Sequence, residues 1–185
     1  MSHTSMVFLV GVLAFVTSLS SLIWHFSVRA RRSSRLSWES LVRKLIWVDP
    51  KIVAEIALDL HEPGRVDKNK DRDSLDASSI WELIGGLDGL ENLKKNGKVL
   101  IDLACHLQRW YPDALLIAEE LRLSARELDW HIGRLEGAAK TGNLEVSFSF
   151  YGSRAIAIYY RMTQQVIALY KERNLPMLAD LQKAL

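Results

Sequence analysis

Asp102 and His106 stand four residues apart, one turn of a helix, and a hairpin reversing at Pro112 brings Glu119 back near the level of His106. Two carboxylates flanking an imidazole are the groups that general acid–base chemistry or a divalent metal would use. An enzyme using Asp102, His106 and Glu119 is therefore one reading of the chain. The same spacing puts Asp102 and His106 on the wet side of their helix, where such pairs are ordinary surface ion pairs. Glu127 and His131 repeat the motif at the level of Lys94. That is roughly 18 Å along the axis from His106, too far for the two histidines to share a metal.

Asp67, Asn69, Asp71 and Asp73 alternate with Lys68, Lys70 and Arg72. Oxygen side chains at alternate positions open an EF-hand loop, but its sixth position is Arg72 where Gly is needed, and its twelfth is Ser78 where a bidentate Glu is needed. A cation- or ligand-responsive sensor built on residues 67–78 is the second reading. Cys105 is the only cysteine, which excludes an intramolecular disulfide and a cysteine zinc cluster. It adjoins the apolar stripe of its helix and reads as a small core side chain. Gly85-Gly86-Leu87-Asp88-Gly89 has no strand before it and no Lys after it, so it is no phosphate loop, and no serine-centred elbow occurs. No catalytic residue, metal ligand or cofactor is assigned.

The elements that would position any site begin with an apolar run. Residues 1–28 contain no Lys, Arg, Asp or Glu, and residues 6–28 form a helix of roughly 34 Å at ~1.5 Å per residue, enough to cross a hydrocarbon core of about 30 Å. Thr17, Ser18, Ser20, Ser21 and Ser27 can bond back to the preceding turn, and Trp24 falls at headgroup level. Arg29, Arg31, Arg32 and Arg35 follow, with no basic residue on the other flank. The positive-inside rule then places residues 1–5 outside the cell's inner (plasma) membrane and everything after the span in the cytoplasm, with the arginines against anionic lipid headgroups. A cleaved signal peptide and a buried core helix are the rival readings. None of the 22 acidic side chains lies in the first 35 residues, so the rest of the chain is slightly acidic and has no nucleic-acid footprint.

Residues 29–48 comprise the basic flank and an amphipathic helix capped by Ser37, with Trp38, Leu41, Val42, Leu45 and Ile46 on one face; it lies either at the membrane interface or on the core. Trp47 points to the other side, which favours headgroup contact. Residues 49–185 read as one antiparallel helical bundle, making the whole chain all-α. Asp49-Pro50 starts a helix that Pro63-Gly64 ends, and a mixed-charge loop covers residues 61–78. Ser79 to Glu82 is a capping box, and the stripe Leu83, Gly86, Leu90, Leu93, Gly97, Leu100, Ala104, Leu107, Tyr111 follows, with a break expected at Gly85, Gly86 and Gly89.

After Pro112 the stripe Ala114, Ala118, Leu121, Ala125, Leu128, Ile132, Leu135, Ala139 makes the hairpin's second arm. Leu116, Leu123 and Trp130 lie seven apart on its opposite side, so this helix is expected to be sandwiched at the centre of the bundle. Beyond Gly142-Asn143, Leu144, Val146, Phe148 and Phe150 alternate with polar residues. That is an extended connector, or a strand pairing with its copy in a homodimer. A helix over about 153–173 and a short terminal one from Pro176 complete the chain.

The segment WELIGGLDGL (Trp81 to Leu90), a long helix ending in QRWYP, and the later AIYYRMTQQVIALY resemble a group of uncharacterised bacterial single-pass membrane proteins. The resemblance implies a membrane location and helical architecture, and no activity. The expectation for function is a membrane-anchored scaffold that binds a protein partner or itself, with contacts sought first at Leu116, Leu123, Trp130 and Phe148.

Overall fold

The computed structural model describes residues 10–21, 24, 37–61 and 77–185. Among these residues every regular element is a helix and there is no strand. The chain divides into two units, Met1–Ser37 and Trp38–Leu185.

In the first unit, α1 (residues 10–21) is exposed along its whole described length. Its hydroxyls turn inward as their chemistry favours: Thr17 Oγ1 donates to the Leu13 and Ala14 carbonyls at 2.9 Å, and Ser18 Oγ donates to Ala14 at 2.8 Å. Among the described residues no helix is long and apolar enough to cross a membrane. Apart from Trp24, the remainder of the span expected over 6–28 lies outside the described residues, as do Arg29, Arg31, Arg32, Arg35 and the Asp67–Asp73 stretch.

The second unit begins with α2 (Trp38–Val42), which packs on α5 (Gly86–Leu107) through buried Trp38 and Leu41. Of the two placements open for this helix, the apolar face goes to the core. The helix is also shorter than its pattern suggests. Asn96 of α5 takes over at Ile46, its Oδ1 accepting from the Ile46 N–H at 2.8 Å while its Nδ2 donates to the Ile46 carbonyl at 2.7 Å. A buried amide that satisfies both backbone groups of a residue removes the need for helical partners. Residues 45–49 therefore run as an irregular connector. Asp49 then opens α3 (Pro50–His61), accepting from the Lys51 N–H at 2.9 Å.

α4 (Ala77–Ile84) and α5 are separated at the expected glycines, with Gly85 and Gly86 at φ 81° and 65°, conformations that other residues adopt only under strain. The break changes the phase of the stripe. Leu83 ends up exposed, while Leu90, Leu93, Leu100, Ala104 and Leu107 are fully buried. Each such leucine contributes roughly 2 kcal/mol of burial. α6 (Ala114–Thr141) packs on α5, and its predicted stripe is the buried one. Gly142, at φ 75°, ends it, with the Asn143 N–H closing on the Ala138 carbonyl at 2.9 Å.

Two expectations are corrected beyond this point. Leu144–Glu172 is one continuous helix, α7, so residues 144–150 are neither a connector nor a strand. Leu144, Phe148, Gly152 and Ala155 also satisfy helical spacing, and burial selects that reading. Phe148 lies 2% exposed, its ring edge-on to Trp81 at 4.9 Å and folded over Gly152, while Val146 and Phe150 are left in solvent. The centre of the bundle is α7, not α6: it packs against α3, α4, α5, α6 and the terminal α8 (Leu178–Ala184). Its Ala155, Ile156, Tyr159, Met162, Val166 and Tyr170 are fully buried.

Two glycines of the bundle should respond oppositely to a methyl group. A Cβ on Gly152 in α7 would come within 2.8 Å of three Phe148 ring atoms, whereas one on Gly133 in α6 would have nothing within 4 Å. Urea unfolding should show Gly152→Ala losing about 1–3 kcal/mol and Gly133→Ala gaining about 1 kcal/mol from helix propensity.

Candidate interaction surface

The outer side of α6 carries a regular row of apolar side chains that the described bundle leaves uncovered. Leu116, Leu123 and Trp130 are 67%, 61% and 52% exposed. They lie opposite the stripe that faces α5 and α7, because positions seven apart return to nearly the same angle on a helix. Phe148, grouped with them from the sequence, is corrected here: it is a core side chain and cannot touch a partner.

The flanks of this line are tied down. On the α5 side Lys94 pairs with Asp129 at 3.4 Å, and Arg122 pairs with Glu119 while donating to the Cys105 sulfur at 3.0 Å. Burial pulls the Lys94 ammonium down, but the carboxylates of Asp129 and Glu91 outweigh it and its pKa is raised. On the α7 side Arg161 reaches Glu127 at 3.4 Å and Gln165 donates to Glu120 at 3.2 Å. The three apolar side chains follow one another at about 10 Å along the axis, with the carboxylates of Glu120 and Glu127 between them, each bonded to α7.

Near its C-terminal end the line runs into an aromatic cluster. Trp130 meets the His131 and Tyr151 rings edge-on at 4.9 and 5.6 Å, and Phe150 meets Tyr151 at 5.0 Å. Arg134 lies over Trp130 at 5.3 Å and Arg154 over Phe150 at 4.5 Å, both within cation–π range. His131 itself is buried, with Glu127 3.9 Å from its Nε2. Burial lowers its pKa, Arg154 lowers it further, and the Glu127 carboxylate only partly opposes them.

Of the groups considered for catalysis, His106 is buried rather than wet, with its ring edge-on to Trp110 at 5.3 Å. Asp102 is half-buried, and Glu119 is held by Arg122. Among the described residues no three His, Cys, Asp or Glu side chains come together as a metal would require. The depression between α3, α7 and the C-terminus, lined by Val53, Tyr160, Gln164 and Gln182 among others, contains none of the three. Cys105 is buried, as its place beside the stripe implied. Of the membrane-flank residues, Trp24 is described and is exposed.

Two polar groups that organise the bundle carry no motif. Asn96, in addition to holding Ile46, donates to the Tyr159 hydroxyl at 3.1 Å. Burial pushes that hydroxyl up to about 12, partly offset by the Asn96 bond. The Trp38 indole donates to the Tyr170 hydroxyl at 3.2 Å, and burial likewise raises Tyr170 to about 12. A lone amide on the apolar side of α5, between Leu93 and Leu100, is the signal that could have found Asn96. Comparison with known proteins finds no family model, no curated protein and no solved structure that matches the chain.

His131 gives the surface a pH dependence of defined sign. Its pKa is lower folded than unfolded, so its contribution is complete above the unfolded value of 6.5 and is lost as pH falls below that through the folded value. Urea unfolding of the wild type should weaken between pH 7 and about 5, and His131→Gln should flatten that decline.

Proposed function

We propose that this chain is a membrane-tethered helical interaction module: an N-terminal helix held in a lipid bilayer, and a bundle that binds another protein along the outer line of α6. The single observation that carries the binding half is the exposure of Leu116, Leu123 and Trp130 at steps of seven, on a helix whose flanking charges are already paired with α5 and α7. A partner that lays its own apolar helix along this line would cover side chains that water solvates poorly.

The tether is supported by the uncharged run over residues 1–28, by α1 presenting Val10, Leu13, Phe15 and Val16 outward with nothing packed on them, and by the resemblance of the chain to single-pass membrane proteins. The arginines at 29, 31, 32 and 35 support an N-terminus outside and a bundle in the cytoplasm. No chemistry is assigned to the bundle.

The test is chemical crosslinking of the full-length protein in cells, followed by purification. The wild type should yield a discrete crosslinked species, and Leu116→Glu with Leu123→Glu should reduce it at least tenfold, since two buried leucines are worth about 3 kcal/mol or more. Because both positions are exposed, unfolding of the double variant should stay within about 0.5 kcal/mol per site of wild type. A crosslinked yield unchanged by the double variant would remove the α6 line from the proposal.

A further inference from the structure

The connector held by the Asn96 clasp carries one large side chain in solvent. Ile46 is bonded through both its N–H and its carbonyl, and three residues later Asp49 is committed to α3 through the N–H groups of Lys51 and Val53. Trp47 lies between these two fixed points and is 70% exposed. Loop tryptophans in an irregular stretch usually fold down onto the nearest apolar surface, since an indole is costly to leave in water. Here the backbone on both sides is held by hydrogen bonds, and the indole stays in solvent.

Along the chain, Trp47 is preceded by Arg43 and Lys44 and followed by Asp49 and Lys51, so residues 39–51 hold three bases against the two acids Glu39 and Asp49. All three are exposed. Indole rings favour the headgroup layer of a bilayer, where the ring meets the acyl boundary and the N–H stays wet, and neighbouring lysines and arginines add attraction for anionic lipid. In sequence, this stretch follows closely on the four arginines at 29 to 35.

We propose that Trp47, with Arg43, Lys44 and Lys51, is a second lipid contact that seats the bundle on the headgroup layer of an anionic bilayer. The inference rests on the tether proposed above and specifies which face of the bundle the membrane meets. The outer line of α6 is a separate surface, assigned to protein.

The experiment uses the full-length protein reconstituted in vesicles of phosphatidylcholine, alone or mixed with phosphatidylglycerol, with bromine-labelled acyl chains as quencher. The chain has six tryptophans, so the signal of Trp47 is taken as the wild-type emission minus that of Trp47→Phe, and that of Trp24 by the same subtraction with Trp24→Phe. In the phosphatidylglycerol mixture the Trp47 signal should be blue-shifted and quenched at least twofold, and Arg43→Gln with Lys44→Gln and Lys51→Gln should abolish most of that quenching. A water-like, unquenched Trp47 beside a quenched Trp24 overturns the second contact and leaves the tether standing; that is the result expected if the basic stretch serves an acidic protein instead. Equal quenching in phosphatidylcholine alone overturns the role given to the three bases. Protein that does not float with the vesicles, with neither tryptophan quenched, overturns the tether and the contact together.

Discussion

A helix that packs against five others must offer them one broad apolar face, and in this bundle that requirement falls on α7. Gly152, Ala155, Ile156, Tyr159, Met162, Thr163, Val166 and Tyr170 share that face and are all covered, while Arg154, Arg161, Gln164 and Lys171 stay exposed on the other side. Small residues let neighbours approach, and the two tyrosines bring hydroxyls that need partners in a dry interior. Asn96 and Trp38 supply those partners, so the polar bonds of the core run from α7 to α5 and to α2. Once α7 holds the centre, α6 can pack on it and on α5 with one face only. The outer leucines of α6 and Trp130 are left in water as a consequence of that choice.

Much of this arrangement was legible in the chain. The stripes of α5 and α6, the glycine break at Gly85-Gly86, the Asp49-Pro50 start and the Gly142 stop all rest on local chemistry, and local chemistry is what periodicity reports. The errors occur where tertiary contact decides between two local patterns. Residues 144–150 satisfy both a period of two and a helical period, and only the docking of Phe148 between Trp81 and Gly152 selects the helix. Likewise the second apolar line of α6 has the same spacing whether another helix covers it or not. His106 was misplaced by taking the wet side of α5 as wider than it is; its ring packs on Trp110 and is buried. Asn96 left no periodic trace because one amide in a stripe looks like an interruption rather than an organiser.

The polar chemistry of the bundle is correspondingly structural. Arg122 touches Cys105 and Glu119, Lys94 bridges Glu91 and Asp129, and Arg173 reaches Asp113 at 2.9 Å, each joining two turns or two helices. Side chains held this way tie neighbouring turns and helices together. A rigid bundle with an uncovered apolar line suits a protein that is put in place and then contacted.

The solvation of the first unit is therefore the point on which the account turns, and extraction of native membranes at high pH with carbonate tests it directly. Alkaline carbonate strips proteins held by charge or by partners and leaves those whose chain passes through the hydrocarbon. The intact polypeptide should remain in the pellet, and replacing Leu13 and Val16 with Lys should release it to the supernatant. Recovery of the intact wild-type chain in the supernatant would contradict the tether, and with it the placing of the bundle at a membrane.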